Sequence, residues 1–296
     1  MNLDFLRMFC DLVETRSFTR TAKRHGVTQS AISQMLQSLE RDAHAVLILR
    51  GRQVFKTTPA GEVYWKYGRE LVALAGGLDR EMQAARNTVG GVIELDACHS
   101  IGLHHLPPVL QQYRQAFPQV EIRVRYDLID RVHAAVLDNV VDLGLVCYPR
   151  RLHGLAIDLF RHERLMLVCH PGHPLAGRPA VTVPDLAGHP LVAWNELRHS
   201  PILRRIPKNL IHRFQPAHEF DQVELVKRAV EMDAGVAILP ETLVLPEVAR
   251  QILAAVPFEN GRHTAPLAVI YRRSKNLSPA MTSFIQALKQ PAPAAN

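Results

Sequence analysis

Apolar residues recur at every third or fourth position along the first ninety residues of the chain. Beyond that they gather into short alternating runs punctuated by proline and glycine. The first regime is helical; the second mixes strands and helices. Phe5, Leu6, Phe9, Leu12 and Val13 mark a first helix. Ser17 is placed to cap a short second helix over 18–24, with Phe18 and Ala22 turned inward, and His25-Gly26-Val27 breaks it. Thr28 then caps a third helix running to about Asp42, whose stripe is Ile32, Met35, Leu36 and Leu39. Its other face carries Gln29, Ser30, Ser33, Gln34 and Gln37, all uncharged donors and acceptors. Residues 46–58 read as strand, glycine turn, strand. A long helix is predicted over 59–87, with Tyr64, Tyr67, Leu71, Leu74, Leu78, Met82 and Ala85 as an apolar seam interrupted by Gly76-Gly77. Residues 88–91 read as a hinge.

The remainder alternates strand and helix. Strands are expected at 92–97, 120–126 and 142–147, separated by helices at 102–116 and 129–139. The order repeats with strands at 165–169, 190–194, 217–220 and 235–240, and helices at 201–214 and 222–234. Strand–helix–strand order argues parallel sheets, and two such units argue two lobes with a cleft between them. The chain is expected to cross between lobes at about 160–163 and to return near 265–269.

Composition narrows the class. With 296 residues, 47% hydrophobic and 21% charged, the chain is neither disordered, collagen-like nor disulfide-stapled, and its length suits about two domains. Of 20 prolines, only Pro59 precedes Pro107, which leaves the N-terminal third free to be helical. The formal charge is +7. Between Arg16 and Lys56 stand eight basic residues against only Glu40 and Asp42, so most of the excess sits in one small helical module. That concentration points to a polyanion partner more strongly than the global charge does. The four cysteines lack CxxC spacing, which suits a reducing, cytoplasmic setting. The N-terminus has no signal-peptide pattern, and no apolar run is long enough for a bilayer, so no membrane partner is expected.

A short helix, a tight glycine turn and a second helix with a slim amide-and-hydroxyl face are what a helix-turn-helix needs in a major groove, where glutamine reads adenine bidentately. The basic hairpin after it suits a wing on the phosphate backbone. The stretch Phe18-Thr19-Arg20-Thr21-Ala22-Lys23-Arg24-His25-Gly26-Val27-Thr28-Gln29-Ser30-Ala31-Ile32-Ser33 resembles the DNA-binding module of LysR-type transcriptional regulators. The likeness continues through Leu39-Glu40, Leu47-x-x-Arg50 and Thr58-Pro59-Ala60-Gly61, and the layout of nearly the whole chain follows that family. It departs at Ala43-His44, where the family usually has Leu-Gly, and at Ile48, where it has Phe. A glycine at position 44 would end the helix in a left-handed turn; histidine adopts that conformation at a cost.

The resemblance implies an α/β protein with an N-terminal winged helix-turn-helix over 1–58. A linker and dimerisation helix with a hinge would cover 59–90. A two-lobed effector domain similar to periplasmic binding proteins would cover 91–296, with lobe I at 91–161 and 266–296 and lobe II at 162–265. Gln29, Ser30, Ser33 and Gln34 are the expected base readers; Thr28, Arg50, Arg52 and Lys56 are the expected phosphate contacts. A small-molecule effector would be gripped by Ser100 and Ile101 from one lobe and by Ser200, Pro201 and Ile202 from the other, with Leu128 and Tyr148 as walls. The partners implied are double-stranded DNA with an inverted repeat and a second copy of the chain, with further assembly to a homotetramer.

Enzymatic signatures are absent: there is no GxSxG, HExxH, P-loop or GxGxxG after a strand, and no cofactor is expected. Adjacent His104 and His105 point about 100° apart on a helix, which argues against a shared metal. Cys169-His170-x-x-His173 reads as a buried thiol followed by a loop. Two rival classes are an α/β solute binder or enzyme whose N-terminal helices merely oligomerise it, and a thiol redox sensor. The Gln/Ser face and the basic stretch speak against the first. For the second, Cys98 lies beside the expected cleft, but no partner cysteine is predictable from sequence.

Overall fold

The computed structural model describes residues 2–51, 54–85, 89–202, 216–261 and 263–290. It divides into an N-terminal unit of residues 1–87, grouped with 138–140, and a larger unit formed by the rest of the chain from residue 88.

The N-terminal unit begins with α1 (Leu3–Thr15), α2 (Phe18–His25) and α3 (Gln29–Asp42). Each start is capped by the side chain that precedes it. Asn2 accepts from the Asp4 amide, Ser17 from Arg20 and Thr28 from Ala31, so each helix has one of its orphan N–H groups satisfied. Gly26, with φ +63°, ends α2. The inward stripes meet in one core of Phe9, Leu12, Ala22, Ile32, Met35, Leu36, Leu39, Leu47 and Ile48.

At the end of α3 the substitution of histidine for glycine is visible in the backbone. His44 has φ +48°. Its amide bonds to the Arg41 carbonyl, and the Ala45 amide bonds to that of Glu40, both at 3.1 Å. This is a Schellman closure built on a non-glycine residue. The Glu40 carboxylate reaches forward and accepts from the amides of Leu47 and Ile48 at 2.9 and 3.2 Å. It thereby ties the hairpin to α3. The hairpin is β1 (Ile48–Gly51) and β2 (Val54–Thr57), antiparallel, with Ile48 opposite Thr57.

Helix α4 (Pro59–Ala85) follows, and runs unbroken through Gly76-Gly77. Thr58 caps it by accepting from the Gly61 amide and donates its hydroxyl proton to the Val46 carbonyl. A Cβ on Gly61 would lie 2.0 Å from the Leu47 carbonyl oxygen. Tyr64, expected on the apolar seam of this helix, instead packs edge-on against Phe9 at 5.4 Å, inside its own unit.

The larger unit contains β3 (Gly91–Cys98), α5 (His99–His104), α6 (Leu106–Ala116), β4 (Val120–Asp127), α7 (Ile129–Leu137) and β5 (Leu143–Cys147). Strand β3 runs parallel to both β4 and β5. The expected single helix over 102–116 is two. Helix α5 starts earlier, at His99, and the chain restarts with Pro107-Pro108 in the first turn of α6, where the missing N–H groups have no intrahelical role.

Next comes β6 (Leu155–Cys169), a single 15-residue strand where only 165–169 was expected. Its first part pairs with β11 (Thr264–Arg272) as far as Arg164. From Leu165 it pairs with β9 (Ala237–Pro240), and from Met166 with β10 (Ala254–Pro257). The crossing between lobes is therefore a continuous strand, and β11 returns beside it to pair with β5. The second lobe also holds β7 (Leu191–Trp194) parallel to β8 (Pro216–Phe220), together with α8 (Val223–Glu231) and α9 (Leu245–Ala249). The last described element is α10 (Pro279–Lys289), whose Phe284 packs edge-on against Tyr113 of α6. The expected helix over 201–214 falls almost wholly outside the described residues.

Two substitutions test the local account of the N-terminal unit. Gly61→Ala forces its methyl group into backbone and should destabilise that unit by about 2–3 kcal/mol. His44→Gly relieves a left-handed residue costing roughly 1–2 kcal/mol but frees the unfolded chain, for a net gain of up to about 1 kcal/mol. Denaturant unfolding followed by circular dichroism measures both. A neutral Gly61→Ala or a destabilising His44→Gly contradicts the assignment.

Candidate functional site

On α3 the buried stripe leaves Gln29, Ser30, Gln34 and Gln37 exposed, with Ser33 half-buried beside them. Their side chains are short enough to approach an edge of stacked bases and carry no charge to repel or misdirect them. The Thr28 hydroxyl accepts from Ala31 and lies 2.8 Å from that of Ser30, so it organises the start of the helix. Gln29 stands 3.5 Å from the Thr19 hydroxyl of α2. Lys56 on β2 is exposed. Arg52 and the side chain of Arg50 lie outside the described residues.

The second candidate site is a buried polar cluster in the larger unit, where the two lobes meet. Cys98 ends β3, Cys147 ends β5, and Glu196 lies in a single helical turn after β7. All sit at the carboxyl ends of parallel strands, where open α/β sheets bind ligands. The Ser100 hydroxyl donates to Glu196 Oε2 at 2.7 Å, and the Cys147 thiol donates to the same oxygen at 2.9 Å. Cys98 Sγ lies 3.4 Å from the Ser100 hydroxyl. Ser100 and Glu196 are 96 residues apart in the chain and come from opposite lobes. Burial pushes the Glu196 carboxyl above its ordinary range, partly offset by the two hydrogen bonds.

The other expected cleft residues are placed as follows. Tyr148 is 4% exposed with φ +50°, and burial drives its phenol well up. Its hydroxyl makes no hydrogen bond of good geometry among the described residues. The Ser200 side chain accepts from the Ile202 amide. Ile101 and Ile202 are buried in the core, Pro201 is exposed, and Leu128 is 36% exposed after β4. Arg198, a cation expected at the edge, pairs with Asp130 of α7 at 3.2 Å, as does Arg150 at 2.9 Å.

The histidine pair behaves as its geometry predicts: His104 faces Glu224 of α8 and His105 faces Glu163 of β6, each at 3.3 Å. His170 and His173 accept through Nδ1 from the amides of Gly172 and Leu175. Glu196, and the convergence of Cys98 with Cys147, were not anticipated. The available signal was position: the two cysteines close strands and Glu196 follows one.

A family model for the LysR substrate binding domain matches residues 86–292, and one for the bacterial regulatory helix-turn-helix protein, lysR family, matches residues 3–62. The chain belongs to the LysR family. It is a transcriptional regulator with a DNA-binding helix-turn-helix and an effector-binding domain. Among its relatives, the probable HTH-type transcriptional regulator LrrA of Synechococcus elongatus is 27% identical over 99% of this chain and 98% of its own length. A probable RuBisCO transcriptional regulator of Cyanidioschyzon merolae is 26% identical over 96% of each. Full-length OxyR of Pseudomonas aeruginosa, in a variant form, shares the fold of this LysR-family chain with a TM-score of 0.72 at 19% identity, over 98% of this chain and 93% of that one. CbnR in complex with its target DNA does so with a TM-score of 0.66 at 20% identity, over 98% and 99%.

Glu163 offers a pH test of the cleft's surroundings. Burial alone would raise its carboxyl; the hydrogen bond and attraction of His105 and the Thr242 hydroxyl outweigh this and hold it below its ordinary range. A depressed folded pKa stabilises above the unfolded value of about 4.3 and loses that stabilisation as pH falls through the folded value. Glu163→Gln should therefore flatten the acid limb of a Tm-against-pH curve below about pH 4. An acid limb as steep as the parent's overturns this.

Proposed function

We propose that this regulator binds an inverted-repeat operator as a dimer, able to pair into a tetramer, and responds to a small molecule taken between the lobes. The carrying observation is the polar row on α3, set opposite a fully buried stripe. In this reading Gln29, Ser30, Ser33 and Gln34 read bases. Thr28, Arg50, Arg52 and Lys56 hold phosphates. Ser100, Leu128, Tyr148, Ser200 and Pro201 contact the effector, with Ile101 and Ile202 behind them. A ligand that favours one arrangement of the lobes shifts the population of DNA-binding states by its differential affinity. Four buried free cysteines and the lack of a membrane-length apolar helix among the described residues are in keeping with work in the cytoplasm.

The dimer reading rests on α4. Val63, Tyr67, Leu71, Leu74, Leu78 and Met82 are all exposed, between 38% and 69%, and step along the helix by three and four. Such a row in water is costly and suits a second copy of the same helix. The CbnR structure holds that protein on its target DNA, which supports the operator reading for a chain of the same fold.

Selection of duplex DNA across a salt series tests the whole reading; an enriched inverted repeat is expected. Gln29→Ala should cost about 1–3 kcal/mol at that site and relax base preference, and an equal loss on every sequence would make Gln29 a backbone contact. Lys56→Ala should weaken all sites alike and flatten the salt slope by about one unit; an unchanged slope removes Lys56 from the phosphate set. Leu74→Glu combined with Leu78→Glu should shift sedimentation toward the monomer and lower operator affinity. A double variant that stays dimeric places the interface elsewhere.

A further inference from the structure

The Cys98, Cys147 and Glu196 cluster does something that neither the DNA reading nor a general effector cleft requires. One thiol sulfur from each cysteine and one carboxylate oxygen from Glu196 lie within 4.8 Å of one another. Among the described residues no other three His, Cys, Asp or Glu side chains come together in this way. Cys98 is 0%, Cys147 1% and Glu196 6% exposed, and Ser100, packed between them, is 5% exposed. Tyr148, adjacent to Cys147, adds a buried hydroxyl without a well-formed hydrogen bond among the described residues.

We propose that this cluster is a binding site for a thiophilic divalent cation of the zinc class, held by Cys98, Cys147 and Glu196. Two thiolates and a carboxylate form a donor set that zinc, cobalt(II) and cadmium favour, and that magnesium and calcium, which take oxygen ligands, do not. Donor atoms of a tetrahedral zinc stand about 3.5–4 Å apart, so small side-chain rotations close this trio onto an ion. Three protein ligands leave a fourth position for water or an incoming donor, the pattern of an exchangeable site. On binding, the two thiols release their protons to solvent, together with the Glu196 proton where it is present; no electrons are exchanged. Because the cysteines belong to one lobe and Glu196 to the other, a bound ion fastens the lobes together. The assignment stands on this cluster and is independent of how α3 reads DNA.

The test uses the full-length, reduced, metal-free chain titrated with cobalt(II). One equivalent per chain should produce thiolate-to-cobalt charge transfer and the intense visible bands of tetrahedral cobalt, both removed by stoichiometric zinc. The bands should vanish in Cys98→Ser and Cys147→Ser and persist in Cys10→Ser and Cys169→Ser. Glu196→Gln should weaken binding at least tenfold. A second measurement needs no variant: zinc should protect the Cys98 and Cys147 peptides of the parent chain from alkylation, read by mass spectrometry, without protecting those of Cys10 and Cys169. Absence of charge transfer at stoichiometric cobalt, bands that survive loss of either cluster cysteine, or equal alkylation of all four thiols with and without zinc each overturns the site.

Discussion

A carboxyl group buried between two lobes organises the larger unit. Removing such a group from water is expensive unless hydrogen bonds replace the lost hydration. Glu196 obtains them from Ser100 and Cys147, which belong to the opposite lobe. Three segments distant in sequence must therefore converge: the end of β3 with the turn into α5, the end of β5, and the turn after β7. Continuous strand β6 and its neighbour β11 make the convergence possible, because they carry the sheet from one lobe into the other. The meeting of the lobes is thus a small polar island in an otherwise apolar core.

The N-terminal unit solves a different problem with local means. Its first three helices are short, and helices of that length are marginal alone. Side-chain caps at Asn2, Ser17 and Thr28, the closure at His44 and the Glu40 clamp on β1 each satisfy backbone groups that the helix and hairpin ends would otherwise leave open. With the ends satisfied in this way, the uncharged amides and hydroxyls of α3 can stay on its outer face instead of serving the core.

Much of this was legible in the sequence. The stripe of Ile32, Met35, Leu36 and Leu39 specified both the helix and its outward residues, because a 3.6-residue period fixes faces independently of tertiary context. Strands β3, β4 and β5 followed from apolar runs and alternation. The first part of β6 did not, since Asp158, Arg161, His162 and Glu163 interrupt the apolar pattern where the strand runs between lobes. The break between α5 and α6 was hidden because paired prolines fit a helix start as well as they disrupt an interior. Tyr64 fits the seam by spacing, yet α4 turns it onto Phe9. Glu196 stands just after a strand, a position the sequence offers, but its partners are defined by the lobe crossing, which no local period encodes.

Hydrogen bonding at Glu196 joins the lobes. A double-mutant cycle with Ser100→Ala and Glu196→Ala, read from denaturant unfolding of the larger unit, measures that bond most directly. A coupling of about 1 kcal/mol or more is expected, the size of a buried hydrogen bond to a carboxyl group. Effects that simply add would contradict it, leaving Ser100 and Glu196 as neighbours that do not hold the lobes together.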